Sequence, residues 1–272
     1  MNPDLSLPPV AAPYQLPFHY GALHQIGLDY LTDPGPARKL LAERHPALTL
    51  AEFDGRACLT LNYQLYFAQY AGGGGVTQEI EVSLVAYPTA QADRLAGLSY
   101  RQYAHGLDQT KLLGIARLHV LCDNPIAIEA GTKLFGEPKY PAAFEVTMPS
   151  LNGPAGETWA IRCATPEGAP LLSFTAALDG LPHTPVNSAP VTGYGTDQIG
   201  RALAGPMNVY HPYRYVELDE DTTGRVGLSV HDPASEVGAD LTELLGSAPA
   251  VAAWSYQSAP VGAHNHPYYL RG

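Results

Sequence analysis

The chain has 272 residues, 46% hydrophobic and 15% charged, a balance that fits a compact globule with a sizeable core and speaks against a disordered chain. Its formal charge of −11, from 15 Lys and Arg against 26 Asp and Glu, argues against a nonspecific phosphate-binding surface, so nucleic acid is not an expected partner. Cys58, Cys122 and Cys163 form neither a disulfide framework nor a zinc spacing, no apolar run reaches membrane-spanning length, and the first residues lack a signal-peptide pattern; the expected setting is cytoplasmic, with no membrane partner.

Residues 1–20 carry five prolines and no helical or strand period, so they read as an extended arm ahead of a single domain over 21–272. Pro34 and Pro36 introduce ARKLLAERH, one short helix ended by His45 and Pro46. From Leu59 the apolar residues alternate through Leu61, Tyr63, Leu65 and Phe67, the period of a half-buried strand, and a second strand runs from Val76 to Tyr87. The glycines at 72–75 join the two as a hairpin; they lack the Lys and Ser or Thr of a phosphate loop. Residues 88–114 read as one or two helices. After Arg117 a succession of short strands, ARLHVLC, AAFEVTM, TWAIRCA, LLSFTAAL, NVYHPYRYVEL and GRVGLSV, is broken by Gly, Pro, Asn and Asp, which implies a sheet or barrel. DLTELLG reads as a helix closed by glycine, and AVAAWSYQSA as a last strand.

Lysine is scarce. Of Lys39, Lys111, Lys133 and Lys139, only Lys139 lies outside a segment that reads as helix or helix edge, in LFGEPKYPAAF between two prolines and several apolar residues. Burial in such a setting penalises the ammonium. To be a free amine near pH 7 the lysine must fall from its ordinary ~10.4, a differential cost of about 4 kcal/mol. The neutral amine then attacks a carbonyl and forms an imine that draws electrons from the neighbouring carbon–carbon bond. The bland alternative is a turn lysine whose head reaches water. His264 and His266 are spaced to share a metal, but no third ligand is evident, and neither a metal nor an organic cofactor is expected.

The stretch CDNPIAIEAGTKLFGEPKYPA, residues 122–142, resembles the signature of the acetoacetate decarboxylase family, with Asp123, Gly131, Pro138 and Lys139 in the matching places. GGGGVTQE is similar to the family's glycine loop and active-site glutamate, which places Glu79, and residues 224–256 resemble its closing strand, helix and strand. The resemblance implies an α+β fold, mostly an antiparallel curved sheet or β-barrel with a few short helices, and a homo-oligomer. It also implies a Schiff-base lyase acting on a small keto acid by decarboxylation or related aldol or dehydration chemistry. Lys139 would be the nucleophile, Glu79 the acid or base, Gln64 a polar neighbour and Tyr140 a proton donor.

Three positions depart from the family pattern. Tyr140 stands where a second lysine is usual, Gln64 where a second glutamate falls, and Leu31 where an arginine belongs. The alternative implied by these losses is a noncatalytic small-molecule-binding barrel, and a structural role rests on the arm alone. Decarboxylation of acetoacetate itself is expected to be weak unless Arg56, Arg101, Arg117 or Arg214 supplies the missing cation.

Overall fold

The computed structural model describes residues 7–70, 73–153, 156–187, 191–263 and 269. His264 and His266 lie outside the described residues. Strand β1 (His19–Thr32) leads through helix α1 (Pro34–Arg44) and the short strands β2 (Leu48–Leu50) and β3 (Glu52–Phe53) into the long hairpin of β4 (Arg56–Tyr70) and β5 (Gly73–Pro88). Helix α2 (Tyr100–Ala104), β6 (Gly114–Cys122), α3 (Pro125–Ala130) and β7 (Lys139–Pro141) come next. They are followed by β8 (Ala143–Thr147), β9 (Thr158–Ala164), β10 (Pro170–Ala177), β11 (Thr184–Val186), β12 (Val191–Thr196), β13 (Ala202–Met207) and β14 (Tyr213–Glu217). Strand β15 (Val226–Val230), helix α4 (Glu236–Leu245) and β16 (Ala250–Gln257) complete the order.

Twelve strands make one sheet with the path β11-β14-β16-β1-β4-β5-β6-β12-β13, to which β2, β3 and β7 attach. The pairings are antiparallel except those of β6 with β7 and with β12. Strands β15-β10-β9-β8 make a second, antiparallel sheet. The α+β character and the curved, mainly antiparallel sheet agree with the sequence; the strand path stays open, without closing into a barrel, among the described residues. No helix among them is long and apolar enough to cross a membrane.

The helices begin and end where their local chemistry dictates. The Asp33 side chain accepts from the Gly35 amide at the start of α1, and Ser235 from the Gly238 amide at the start of α4. Each satisfies an amide with no partner inside the helix. Between β5 and β6, where one or two helices were expected, only a 3-10 turn at Thr89–Arg94 and the five-residue α2 form.

Strands β1, β4 and β5 present two different faces, because successive side chains of a strand point to opposite sides. Ile26 and Leu28, Leu59 and Leu61, and Ile80 and Val82 point one way, into a core shared with Trp159, Ile161 and Phe174 of the second sheet and with Leu241 of α4. Each such buried aliphatic side chain contributes about 1.5–3 kcal/mol. The residues between them are polar: Gln25 and Asp29, Thr60, Asn62 and Gln64, and Glu79 and Glu81 are all buried too. The large sheet curls over this polar face, so that Met207, Tyr213 and Tyr215 look across at it. A cavity of about 200 Å3 lies between.

Candidate active site

The pairing of β1, β4 and β5 sets Gln25 opposite Gln64, and Gln64 opposite Glu79. A row of polar side chains on the cavity face follows directly from that register. Tyr213 donates to Gln25 Oε1 at 2.8 Å, Gln25 Nε2 to Gln64 Oε1 at 2.5 Å, and Gln64 Nε2 in turn to Glu79 Oε1. The Tyr66 hydroxyl donates to Glu79 Oε2 at 3.1 Å. Glu79 is thereby fixed in position, its second oxygen turned toward β7.

Lys139 meets it there. Strand β7 runs parallel to β6 with Val120 beside Lys139, and Val120 is itself beside Glu81 of β5, so Lys139 enters on the same face. Its Nζ lies 2.5 Å from Glu79 Oε2, with only 5% of the side chain exposed. Glu137, two residues earlier and on the same side, brings Oε2 to 3.4 Å from Nζ. Gly131 makes this possible: a Cβ there would fall 2.4 Å from the Glu137 carboxylate and 2.8 Å from the Lys139 chain.

A second cation completes the wall. Arg117 Nε donates to Glu81 Oε1 at 2.6 Å, and its Nη1 lies 3.5 Å from Glu137 Oε1. The register of β5 against β6 shifts between Val82 and Ser83, leaving Leu118 as an extra residue. Such an irregularity re-aims side chains. Arg117 therefore faces the cavity beside Ser83, whereas His119, only two residues on, faces the opposite side beside Val82. Gly193 of β12 leaves room for the guanidinium, since a Cβ there would fall 2.2 Å from Nη1.

The charges set the protonation states. Burial on its own pushes the Lys139 ammonium down, but the carboxylates of Glu79 and then Glu137 more than reverse this and hold it above its ordinary value. Burial raises the Glu137 carboxyl, yet Lys139 and Arg117 prevail and keep it below its ordinary value. Glu81, where burial outweighs the pull of Arg117, is raised. Farther along the cavity, burial raises the Asp29 carboxyl, which accepts from Tyr100 at 2.7 Å and from Trp254 at 3.1 Å.

No protein-family model matches the sequence, and no curated protein does. Solved structures do. An enduracididine biosynthesis enzyme, MppR, complexed with the condensation product of pyruvate and imidazole 4-carboxaldehyde, superposes with a TM-score of 0.60 at 14% identity, over 93% of this chain and 86% of that one. An acetoacetate decarboxylase-like enzyme from Sphingomonas wittichii gives 0.54 at 13% identity over 88% of each chain. Acetoacetate decarboxylase from Legionella pneumophila gives 0.51 at 12% identity, over 93% of this chain and 91% of that one. The chain has the acetoacetate decarboxylase-like fold.

Within that fold, the structure gathers Lys139, Glu79 and Gln64 and separates Tyr140 and Leu31 from them. Tyr140 follows Lys139 in β7 and so points to the other face, where its hydroxyl meets His119 Nδ1 at 3.1 Å. The expectation that Tyr140 lines the substrate cavity is thus corrected by strand alternation. Leu31 packs with Phe53, Tyr100 and their neighbours beyond the cavity wall. The largely apolar surroundings expected of Lys139 are not found either: Glu137 joins Glu79 beside its Nζ, and both carboxylates favour the ammonium. Phe135 does line the cavity, but Phe144 packs on Tyr63 in the core. Asp123 takes a structural place, accepting from the Gln78 amide at 2.8 Å and from its side chain at 3.0 Å.

Arg117, Glu137, Gln25, Tyr66 and Tyr213 complete the site, and only Arg117 was weighed from the sequence. Glu137 carried a signal, since it sits two residues from Lys139 in an extended, proline-flanked stretch and so shares its face. Among the described residues, metal-type donors gather at His119, Glu236 and Asp240 on the opposite face. There Arg44 already binds both carboxylates, at 3.0 Å from Glu236 and 2.5 Å from Asp240, so a cation occupies that position.

Proposed function

We propose that the chain is a Schiff-base-forming lyase in which Lys139 attacks a small carbonyl compound. The observation that carries this is the buried Lys139 Nζ at 2.5 Å from a carboxylate, Glu79, that is itself held by Gln64 and Tyr66. A buried amine with a positioned proton acceptor at the wall of a cavity is the arrangement that imine chemistry requires.

Glu79 takes one proton from the ammonium, and the free amine adds to the carbonyl carbon. The carbonyl oxygen leaves as water. Of the three ammonium protons, two end on that water and one stays on the iminium nitrogen, so charge and atoms balance. The iminium then accepts the electron pair of a neighbouring carbon–carbon or carbon–hydrogen bond to give an enamine, and Glu79 returns or receives the proton this calls for. Tyr66, in contact with Glu79, takes the place expected of Tyr140 as a phenol coupled to the acid–base group. Decarboxylation, aldol cleavage and dehydration all use this same intermediate. A small keto acid is the substrate class that the family resemblance brings, and MppR, solved with pyruvate bound, is a relative in fold.

The second reading, a binding cavity without chemistry, is favoured by one observation: two carboxylates, of Glu79 at 2.5 Å and Glu137 at 3.4 Å, lie beside Lys139 Nζ and favour its charged form. Incubation with a panel of ketones, aldehydes and keto acids in the presence of borohydride separates the two. An adduct on Lys139, absent from Lys139→Ala, is expected. Protein that binds a carbonyl compound and yields no adduct at any pH up to 10 refutes the lyase reading.

A further inference from the structure

Among the described residues, the cavity wall carries two cations, Lys139 and Arg117, against the carboxylates of Glu79, Glu81 and Glu137, with Asp29 farther along. Both cations are already paired, Lys139 with Glu79 at 2.5 Å and Arg117 with Glu81 at 2.6 Å. Glu137 is the surplus charge, and its position is informative. One of its oxygens lies 3.4 Å from Lys139 Nζ and the other 3.5 Å from Arg117 Nη1, so it bridges the two cations beside the nucleophile.

That bridge is where the carboxylate of a keto acid would go. When the carbonyl carbon of a 2- or 3-keto acid is bonded to Nζ, its carboxylate hangs one or two bonds away and needs a cation within reach. The side chain of Glu137 already supplies a carboxylate there. A second one would enter a buried space with no unpaired cation, next to three like charges. An uncharged oxygen meets no such obstacle, and the cavity wall carries further phenols in Tyr20 and Tyr70.

Resting on the imine-forming reading of Lys139, we propose that Glu137 is a specificity residue that fills the substrate-carboxylate position, so that this cavity takes carbonyl compounds without a free carboxylate beside the reacting carbon: neutral ketones, aldehydes, keto esters or keto amides. The chemistry at Nζ is unchanged by this restriction. What changes is which member of an acid and ester pair reaches it.

The test uses matched pairs, methyl pyruvate against pyruvate and methyl acetoacetate against acetoacetate, trapped by borohydride on the wild-type protein and on Glu137→Gln. Trapping of each pair on Nα-acetyllysine gives the reference ratio for intrinsic reactivity. The wild-type ester-to-acid ratio is expected to exceed that reference at least tenfold, and Glu137→Gln to bring it down at least fivefold through faster trapping of the acids. A wild-type ratio equal to the reference overturns the proposal and leaves the imine reading standing. An unchanged ratio in folded Glu137→Gln overturns the role of Glu137. If that variant does not fold, the wild-type ratio alone decides. If no adduct forms at all, the imine reading falls, and calorimetric titration of the same pairs decides the charge rule: tighter ester binding supports it, and equal or tighter acid binding overturns it.

Discussion

Replacing Glu137 by Gln removes a negative charge 3.4 Å from Lys139 Nζ while keeping the shape of the side chain. Two unit charges at that distance attract by ~5 kcal/mol at an effective dielectric of about 20. Not all of this is lost on mutation, because the amide oxygen still faces the ammonium and Arg117, released from Glu137, shifts in the space. A quarter to a half of it, ~1.2 to 2.4 kcal/mol, corresponds to a free-amine fraction about 8- to 60-fold larger at any pH below the lysine's titration. The sign is definite: Glu137 raises Lys139, so its removal lowers it. Competitive acetylation at pH 8 to 10, with Lys133 as the internal reference and peptide mass spectrometry as the readout, measures the fraction at each lysine. Lys133 suits this purpose because its own partner, Glu129, is untouched. Unchanged or slower acetylation of Lys139 in a folded Glu137→Gln protein refutes the electrostatic account of this site.

Tyr140→Phe is expected to leave borohydride trapping on Lys139 within about twofold of wild type and to cost ~0.5 to 1.5 kcal/mol in a urea melt, the worth of its hydrogen bond to His119. A large loss of trapping would show that the tyrosine works in the cavity after all. Gly193→Ala puts a methyl group 2.2 Å from Arg117 Nη1 and is expected to destabilise the fold by ~1 to 3 kcal/mol, read by thermal or urea unfolding. The Glu137 carboxyl lies below its ordinary 4.5, so its contribution to stability is complete above that pH and is lost as pH falls through the lower, folded value. Urea melts between pH 6 and 3 are therefore expected to fall less steeply for Glu137→Gln than for wild type, and parallel slopes would contradict the assignment.

The fold was legible where apolar residues alternate along one strand face, except at β1, whose Ile26, Leu28 and Tyr30 alternate into the core in the same way and were not read as a strand. Leu59, Leu61, Tyr63 and Leu65 mark β4 because they all enter the core, and Thr158–Ala164 marks β9 for the same reason. Strands β12 and β13 were not legible. Their sequences, VTGYGT and ALAGPM, spend positions on glycines over which the Arg117 guanidinium and the Phe135 ring lie, so close approach replaces the β-branched signal. In the site, Lys139 and Glu79 were found through a motif and Gln64 by counting along paired strands. Arg117 was one candidate among four, because a register shift in β6, invisible in sequence, decides which of Arg117 and His119 faces the cavity. The electrostatic setting of Lys139 is hard to read from the sequence, because the prolines and phenylalanines around it suggest an apolar site, whereas the fold turns Phe144 into the core and sets Glu137 beside Glu79 at Nζ.

The charge arrangement also bears on which steps of imine chemistry this cavity favours. In the exchange of ammonium for iminium the positive charge stays on the same nitrogen, so the attraction of Glu79 and Glu137 acts on both alike and largely cancels from that equilibrium. It does not cancel for the free amine or the enamine, which are neutral at nitrogen. The two carboxylates therefore slow entry through the amine and resist the flow of electrons into the iminium, unless a proton moves at the same time. Glu79, 2.5 Å from Nζ, can accept that proton, and then the loss of positive charge at nitrogen is matched by the loss of a negative charge beside it. A proton passed to Glu79, from the ammonium on entry and from the substrate carbon or hydroxyl when the enamine forms, keeps the net charge of the cavity constant, whereas loss of carbon dioxide requires that a substrate carboxylate first be brought in. On the proposed reading, the same two glutamates that admit uncharged carbonyl compounds thus tilt the site toward aldol and dehydration steps, in which Glu79 moves a proton, and away from decarboxylation.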